Sequence, residues 1–301
     1  MNRLVMKTVR NLEDLPTLPS VALEVMALSR QYPDVSIKAI SERIHMDPPL
    51  AAKVLRMANS PFYRRGSQQI DTLHRAILVM GLNEIVNITT SVSVLSSLGS
   101  RKAKGEALRK KFWHHCVATG LIARRIDIRL RTRLQGREFV AGLLHDIGKI
   151  ILDEYFHDRF MEAHALSIKK RCSMYEAEEE VLGANHMEVG HHLAQKWGLP
   201  PYITETILHH HHPDDAQFKN VASVVSLANL LAKARELSCG GDTMSFVLKD
   251  QQGWHVLKRM KYPVDTLDIE RITFEMEDIG QEVRAYLSAI SGEDDGERVH
   301  G

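Results

Sequence analysis

The sequence predicts an all-α protein. Apolar residues recur at helical spacing along most of the chain, and helix-start and helix-stop residues flank many of the apolar stretches. No run of alternating strands bounded by hairpin turns is present. The length of 301 residues is enough for one large or two modest domains with buried cores. The composition, 44% hydrophobic and 26% charged, is that of an ordinary globular protein.

Helices are predicted in order through the first hundred residues. The first, "SVALEVMALSRQ", follows a Pro-Ser start signal, and "SIKAISERIHMD" comes next. "PPLAAKVLRMANS" carries its prolines in the first turn, where proline is tolerated, and "IDTLHRAILVMG" ends at Gly81. The stretch from there to Gly99 is rich in β-branched residues but exceeds the usual strand length, so helix is the better interpretation.

The helical pattern resumes at residue 112 and continues to residue 237. Its stretches are "FWHHCVATGLIARRI", "REFVAGLLHDIGKIILDEYF", "DRFMEAHALSIKKR", "MYEAEEEVLG", "HMEVGHHLAQKWG", "PYITETILHHHH" and "VASVVSLANLLAKAREL". In this interpretation His145 and Asp146 lie side by side inside one apolar helix. Because polar groups in an apolar stretch need partners, the pair is either a local structural feature or part of a metal site.

A change in composition divides the chain. The basic segment 101–111 predicts a boundary, with a helical bundle at 1–108 packed against a multi-helix domain at 109–290 and a flexible acidic tail at 291–301. We interpret this segment and the arginine-rich run 124–137 as solvated linker or helix surface. Contact with nucleic acid is the less favoured alternative, because neither run is interleaved with aromatic residues.

Charge and cysteine usage limit the class of protein. The formal net charge of +1 gives no general reason to expect a polyanion-binding role. Three cysteines (Cys116, Cys172 and Cys239) are too few and too scattered for a disulfide framework and indicate a reducing compartment. The first residues have no signal-peptide pattern, and no apolar run is long enough for a membrane span. We therefore expect a cytoplasmic protein without a membrane segment.

The histidines of the second half form a pattern that indicates a metal site. Each lies in an apolar, helix-patterned stretch: His115, His145 beside Asp146, His186, His210 and His211. Imidazole and carboxylate are ligands that suit iron, manganese or zinc, whereas magnesium prefers more oxygen. These six groups could complete one octahedron or hold two ions bridged by Asp146 and a solvent molecule. A bridging hydroxide would be a nucleophile at neutral pH.

Two further side chains are candidates at such a site. Lys149 follows His145 by four residues and Asp146 by three, so it is expected on the same helical face, where it holds a substrate phosphate or neutralises Asp146. Cys116 is a weak candidate for a soft ligand, because adjacency to His115 does not aim both side chains at one point.

These phrases resemble those of a known family. "FWHHC", "AGLLHDIGKIIL", "GANHMEVGHHLAQKWGLP" and "ILHHHHP" are similar to the HD superfamily of metal-dependent phosphohydrolases. Together with "LPTLPSVALEVM", "DPPLAAKVLRMANSPFY" and "AILVMGLNEI", they resemble its HDOD branch, over about residues 12–240.

The resemblance implies roles for individual residues. The positions that match metal ligands are His115, His145, Asp146, His186 and His210, with His211 as the neighbouring candidate. Lys149 matches the phosphate-positioning lysine, which would make Lys149 and Asp146 the catalytic pair. His114 fits the pattern less well, and within 209–212 a slip of one residue is left open.

Two departures bear on activity. Active HD enzymes carry a late aspartate in a phrase like "LADLLA", whereas this chain reads "SLANLLAK" with Asn229 in that place. The loss of one charge predicts weaker metal binding or a single ion. After His212 the chain continues "PDDAQF", without the "HHExxDGxGYP" phrase of cyclic-di-GMP phosphodiesterases, so that activity is not expected.

The resemblance predicts an HDOD-type signal-transduction regulator that acts mainly through protein contacts and keeps most of the metal site. One or two transition-metal ions are expected, iron first and then manganese or zinc. The alternative function is a metal-dependent phosphohydrolase acting on a nucleotide or phosphodiester, made doubtful by Asn229. Expected partners are signalling proteins, with a nucleotide or phosphate as a further ligand. Nucleic acid is the least favoured partner.

Overall fold

The computed structural model describes residues 4–12, 15–29, 36–61, 63, 69–98, 106–234, 247–275 and 277–291. Regular structure in these residues is helical throughout, which confirms the all-α prediction. The α-helices are α1 (Leu4–Asn11), α2 (Ser20–Ser29), α3 (Ile37–His45), α4 (Pro48–Ala58), α5 (Leu73–Met80), α6 (Leu82–Ser97), α7 (Glu106–Leu130), α8 (Arg137–Leu144), α9 (Ile147–Lys170), α10 (Met174–Leu182), α11 (His186–Lys196), α12 (Pro201–His209), α13 (Lys219–Ala234), α14 (Gln252–Arg259), α15 (Ile269–Glu275) and α16 (Ile279–Ser291). Two short 3-10 helices, Leu248–Asp250 and Val264–Thr266, lie on either side of α14.

The chain packs as two compact units, and each is built from separate pieces of sequence. The larger unit comprises Met1–Pro16 and Ser100–Met276, and the smaller unit comprises Thr17–Gly99 and Glu277–Gly301. The smaller unit takes in the C-terminal piece because α16 packs on α4. The larger unit takes in the N-terminal piece because α1 packs on α11 and the Trp197 Nε1 donates to the Pro16 carbonyl at 2.6 Å.

The boundaries of these units differ from those of the domains 1–108 and 109–290 predicted from composition. Those domains remain predictions. A contact between segments remote in sequence leaves no trace in local composition, so a linear division could not include it. The predicted acidic tail 291–301 lies outside the described residues beyond its first position, and so does Cys239.

The smaller unit confirms the helices predicted for its residues. In α4 the Asp47 side chain accepts a hydrogen bond from the Leu50 backbone N–H at 3.0 Å, ahead of two prolines in the first turn. The β-branched stretch forms α6. There the Thr89 and Thr90 hydroxyls donate to the carbonyls four residues earlier, at 2.7 and 2.8 Å, which satisfies these polar groups within the buried helix.

The larger unit is organised around α7. This helix packs on α8 and α13, and α9 packs on α10 and α11. The contact between α7 and α8 is close because two glycines meet there: a Cβ added to Gly142 would lie 2.9 Å from the Gly120 Cα. The stretches "REFVAGLLHDIGKIILDEYF" and "DRFMEAHALSIKKR" meet at a kink inside α9, where Phe156 leaves helical geometry at φ −135° and ψ 35°.

No single described helix is both long and apolar enough to cross a membrane. The consecutive helices α5 and α6 meet the length and composition criterion only when taken together, and they are bent by 120° at their junction.

Candidate metal centre

The His145–Asp146 pair lies where α8 ends and α9 begins. The expectation that the pair lies inside one continuous helix was wrong: α8 ends at Leu144, and Asp146 has φ −105° and ψ 9° as the residue that precedes α9. Neighbouring residues within a helix point about 100° apart. Because the chain turns here instead, the imidazole and the carboxylate face the same buried point, and both residues are fully buried.

Four imidazole rings surround the Asp146 carboxylate. The Nε2 atoms of His186 and His210 lie 3.1 and 3.5 Å from Oδ1, and those of His145 and His115 lie 3.4 and 3.7 Å from Oδ2. These rings come from the middle of α7, the α8–α9 junction, the first residue of α11 and the end of α12. The structure therefore brings these sequence-predicted residues together, although their role as ligands remains a prediction.

Hydrogen bonds at Nδ1 fix the orientation of three of these rings. The Nδ1 atoms of His145 and His210 lie 2.7 and 3.0 Å from the carbonyls of Gly142 and Ile207, and that of His186 lies 2.6 Å from a Glu178 carboxylate oxygen. These acceptors place the proton on Nδ1, which leaves the Nε2 lone pair directed at the centre. The Nε2 atoms of all three rings are buried without a hydrogen-bond partner.

The charge states also suit a cation. Burial lowers the pKa of His145 well below its ordinary value and lowers that of His210 to about 4, so both rings are neutral at pH 7. Burial raises the pKa of Asp146, but His145, Lys149 and His186 more than offset this, and the carboxylate stays ionised. Buried acceptors left without a donor are costly. The residues present therefore fit a transition-metal ion, whose preferred ligands are imidazole and carboxylate.

Lys149 neutralises the carboxylate. Its Nζ donates to Asp146 Oδ2 at 2.6 Å, and the side chain is almost fully buried in the first turn of α9. Of the two roles expected for Lys149, contact with Asp146 is thus observed directly. Holding a substrate phosphate remains a prediction.

A second group of potential ligands adjoins the first. His186, His210 and His211 offer ring nitrogens that lie within 4.8 Å of one another, and the rings of His210 and His211 have centroids 4.2 Å apart. His211 is partly buried, with its Nε2 unpaired, whereas the His209 Nε2 lies 3.9 Å from a Glu205 carboxylate oxygen. Within 209–212, the structure therefore places His210 and His211 at the centre.

The sequence interpretation missed Glu178. This fully buried residue accepts hydrogen bonds from both the Nδ1 and the backbone N–H of His186, at 2.6 and 2.8 Å. Burial lowers the pKa of His186, but the Glu178 carboxylate more than offsets this, and the net pKa is raised. A usable signal was present: Glu178 falls on the stripe of buried residues Met174, Ala177 and Leu182 in α10, where a charge needs a partner.

Replacing Glu178 by glutamine is expected to weaken metal binding by about 10- to 100-fold, because an amide orients His186 without increasing its basicity. Competition with a metal-binding dye measures the affinity. Glu176→Gln is the matched control, since Glu176 lies on the same helix but is exposed, and its side chain bonds to its N-cap serine, Ser173. Equal affinities for the two variants would contradict a role for Glu178 at the centre.

Asn229 lies on the helix that packs against α7 and α8. It is 3% exposed, and its Oδ1 is buried without a hydrogen-bond partner. The amide oxygen therefore neither faces solvent nor caps a neighbouring backbone. Burial is the main cause that lowers the pKa of His211, and Lys233, one turn after Asn229 on the same face, contributes to this lowering. This face of α13 is therefore directed toward the histidines.

The two weaker candidates stay outside the cluster. Cys116 is buried but belongs to neither group of potential ligands in the described part of the chain. His114 is half-buried and is likewise in neither group.

Comparison with known proteins identifies the family. The sequence model of the HDOD domain matches residues 15–213, about two thirds of the chain. The chain belongs to the HDOD family. The resemblance to the HDOD branch noted in the sequence is thus confirmed, and the all-α arrangement is that of the family.

Similar proteins are known from sequence and from structure. A crystal structure of an HDOD domain protein from Geobacter sulfurreducens covers 95% of this chain and 97% of its own, with 25% identity and a TM-score of 0.79. One from Shewanella amazonensis SB2B, described as a "Putative phosphohydrolase", covers 95% and 98% with 24% identity and a TM-score of 0.70, and it supports the fold alone. An uncharacterized protein of Treponema pallidum (strain Nichols) is 26% identical over 224 residues, 73% of this chain, and the alignment spans 42% of that relative's length.

Proposed function

We propose that this HDOD protein is a metal-containing regulator of signal transduction that acts mainly through contacts with signalling proteins in the cytoplasm. One observation carries the metal part of the proposal: three buried imidazoles with fixed orientation direct unpaired Nε2 atoms at one ionised carboxylate. The regulatory part is supported by Asn229, an amide at the position where the resemblance to active HD enzymes implies a carboxylate.

Five residues would hold the ion: His115, His145, Asp146, His186 and His210. His211 would add a ligand for a second ion. Iron is the first candidate and manganese or zinc the next, because imidazole dominates the set and no cysteine belongs to it. Such an ion supplies a Lewis acid and lowers the pKa of bound water.

The second candidate function is hydrolysis of a nucleotide or phosphodiester, and Lys149 favours it. Its ammonium group is almost fully buried and lies 2.6 Å from the Asp146 carboxylate, which holds it at the edge of the centre. An ammonium group has three donors, and such a group beside the centre suits the non-bridging oxygens of a phosphate. Asp146 would orient Lys149 for that purpose as well as bind the ion.

Metal content tests the proposal. Protein purified without added metal and then reconstituted with ferrous iron or manganese is expected to carry close to one equivalent, measured by elemental analysis. His210→Ala is expected to lose the ion, and His209→Ala, the adjacent histidine near Glu205, is expected to keep it. Less than about a tenth of an equivalent in the reconstituted wild type would refute the metal site.

Stability gives a second measurement of the same prediction. An ion that binds only the folded state at a thousand times its Kd stabilises that state by about 4 kcal/mol. Chelation should therefore lower the Tm of the wild type and of His209→Ala but leave His210→Ala unchanged. Metal-dependent release of nitrophenol from bis-(p-nitrophenyl) phosphate, lost in His210→Ala, would favour the phosphohydrolase over the regulator.

A further inference from the structure

The connection between α7 and α8 presents arginines to solvent. Arg131, Arg133 and Arg137 are exposed, while the alternate residues Thr132 and Leu134 are buried. From sequence alone the run 124–137 is interpreted as solvated linker or helix surface. The structure divides it, because the last three of its six arginines lie in the connection and at the start of α8 rather than on the exposed face of α7.

The backbone of this connection is fixed from within. Asp127 Oδ1 accepts hydrogen bonds from the Thr132 hydroxyl and from the Leu134 backbone N–H, the latter at 3.0 Å. Arg131 and Arg133 both adopt the left-handed conformation, with φ of 51° and 58°. The backbone that carries the arginines is therefore already ordered, which reduces the conformational entropy that this segment would lose when a ligand binds.

These three arginines are free for a partner. Arg129 is held by Glu275, but Arg131, Arg133 and Arg137 form no ion pair with any described residue. The Arg137 guanidinium lies over the ring of Tyr202, 5.6 Å from its centroid. The surface thus combines three guanidinium groups that no described carboxylate neutralises with a partly exposed aromatic ring.

We propose that this arginine surface binds the sugar–phosphate backbone of a single-stranded nucleic acid. Guanidinium groups donate paired hydrogen bonds to phosphate oxygens, and their planar faces stack on the bases that a single strand leaves unpaired. A membrane fits less well, because Ile128 is the one large apolar side chain exposed among described residues 124–137, and anchoring needs a wide apolar face.

The arginine surface is remote from the candidate metal centre. Leu130, the last residue of α7 and the neighbour of Arg131, follows His115 by fifteen residues, so at about 1.5 Å per residue it lies about 22 Å from His115 along the helix axis. The proposal does not depend on the metal centre, since the arginine surface lies at the far end of α7.

Binding of fluorescein-labelled U20 RNA and dT20 DNA to the full-length protein, followed by anisotropy, tests this. The affinity is expected to fall with salt at a slope of about −2 on a log–log plot, because three phosphate contacts release about 0.7 counterion each. The variant Arg131→Asn, Arg133→Asn, Arg137→Gln should bind at least about tenfold more weakly at low salt, with a slope reduced by about 2. Asparagine is chosen because it tolerates positive φ.

The matched control removes the same charge elsewhere, from exposed lysines: Lys111→Gln, Lys169→Gln, Lys249→Gln. It should bind as the wild type does. Preference for RNA or for DNA would identify the source of the backbone, and either supports the proposal. No binding by the wild type, equal loss in the lysine control, or equal competition by polyglutamate or phosphatidylserine vesicles would overturn it.

Discussion

The substitution Gly148→Ala is expected to lower the free energy of unfolding by at least about 3 kcal/mol and to abolish metal binding. Gly148 lies between Asp146 and Lys149, in the first turn of α9. A Cβ at this position would lie 1.9 Å from the backbone oxygen of His186 and 2.7 Å from the backbone N of Gly190. Both contacts are with backbone, so no side-chain rotation relieves them.

The expected loss of metal follows because α9 and α11 must move apart to make room for the added Cβ. Gly148 belongs to the helix that follows Asp146, and His186 opens α11, so relieving the overlap moves the His186 ring away from the carboxylate that it now approaches to 3.1 Å. Misplacement by about 1 Å is enough to degrade a site that depends on fixed ligand geometry. Loss of stability and loss of metal should therefore occur together.

Gly280→Ala provides the control. This glycine is also helical, but an added Cβ would meet only the end of the flexible Arg284 side chain, at 3.6 Å. Alanine favours helix by up to about 1 kcal/mol over glycine, so stability should be unchanged or slightly higher. Urea unfolding followed by circular dichroism, together with elemental analysis, measures both effects. A Gly148→Ala protein with wild-type stability and metal content would refute the close approach of α9 and α11.

Much of the centre could be predicted because its residues interrupt apolar, helix-patterned stretches. His115, His145, Asp146, His186 and His210 each stand out in this way, and the structure gathers all five. The break between α8 and α9 could not be predicted from the same signal. An apolar run that continues on both sides of a polar pair has the same periodicity whether the chain turns there or not.

The unpredicted parts of the fold depend on tertiary contacts. The helices after residue 247 were not assigned individually, and α16 joins α4 across more than two hundred residues through the Arg56 Nε, which donates to the Ala289 carbonyl at 3.3 Å. Glu178 is one of five glutamates between 176 and 188, and its role depends on the ring of His186 eight residues later. The local sequence gives no reason to select Arg56 or Glu178 over the similar residues beside them for these contacts.

Asn229→Asp is expected to tighten metal binding by at least about tenfold and to raise the occupancy from one ion toward two. Asparagine and aspartate have nearly the same size, so the change adds a charge and an oxygen ligand without altering the packing of α13. Two opposite unit charges about 4 Å apart attract by about 4 kcal/mol at an effective dielectric of 20, against which desolvation must be set. A tenfold gain in metal affinity requires about 1.4 kcal/mol of this attraction to remain after desolvation.

The same substitution should have opposite effects on stability with and without metal. In the metal-free protein it adds a second negative charge to a buried position whose oxygen has no donor, so the free energy of unfolding should fall. With saturating manganese the added ligand should make the variant more stable than the wild type. Asn220→Asp is the control on the same helix, because Asn220 is partly exposed and its side-chain oxygen accepts from the Val221 backbone N–H.

Titration with manganese or ferrous iron, with unfolding measured at each end point, separates the possible outcomes for Asn229. If the carboxylate restores a second ion, hydrolysis of a generic phosphodiester should rise from a weak or absent level in the wild type, because a second ion positions and activates the attacking water. If stoichiometry, affinity and the sign of the stability change all match those of Asn220→Asp, position 229 does not belong to the centre. The last ligand position would then have to be sought on another residue of the helices that surround Asp146.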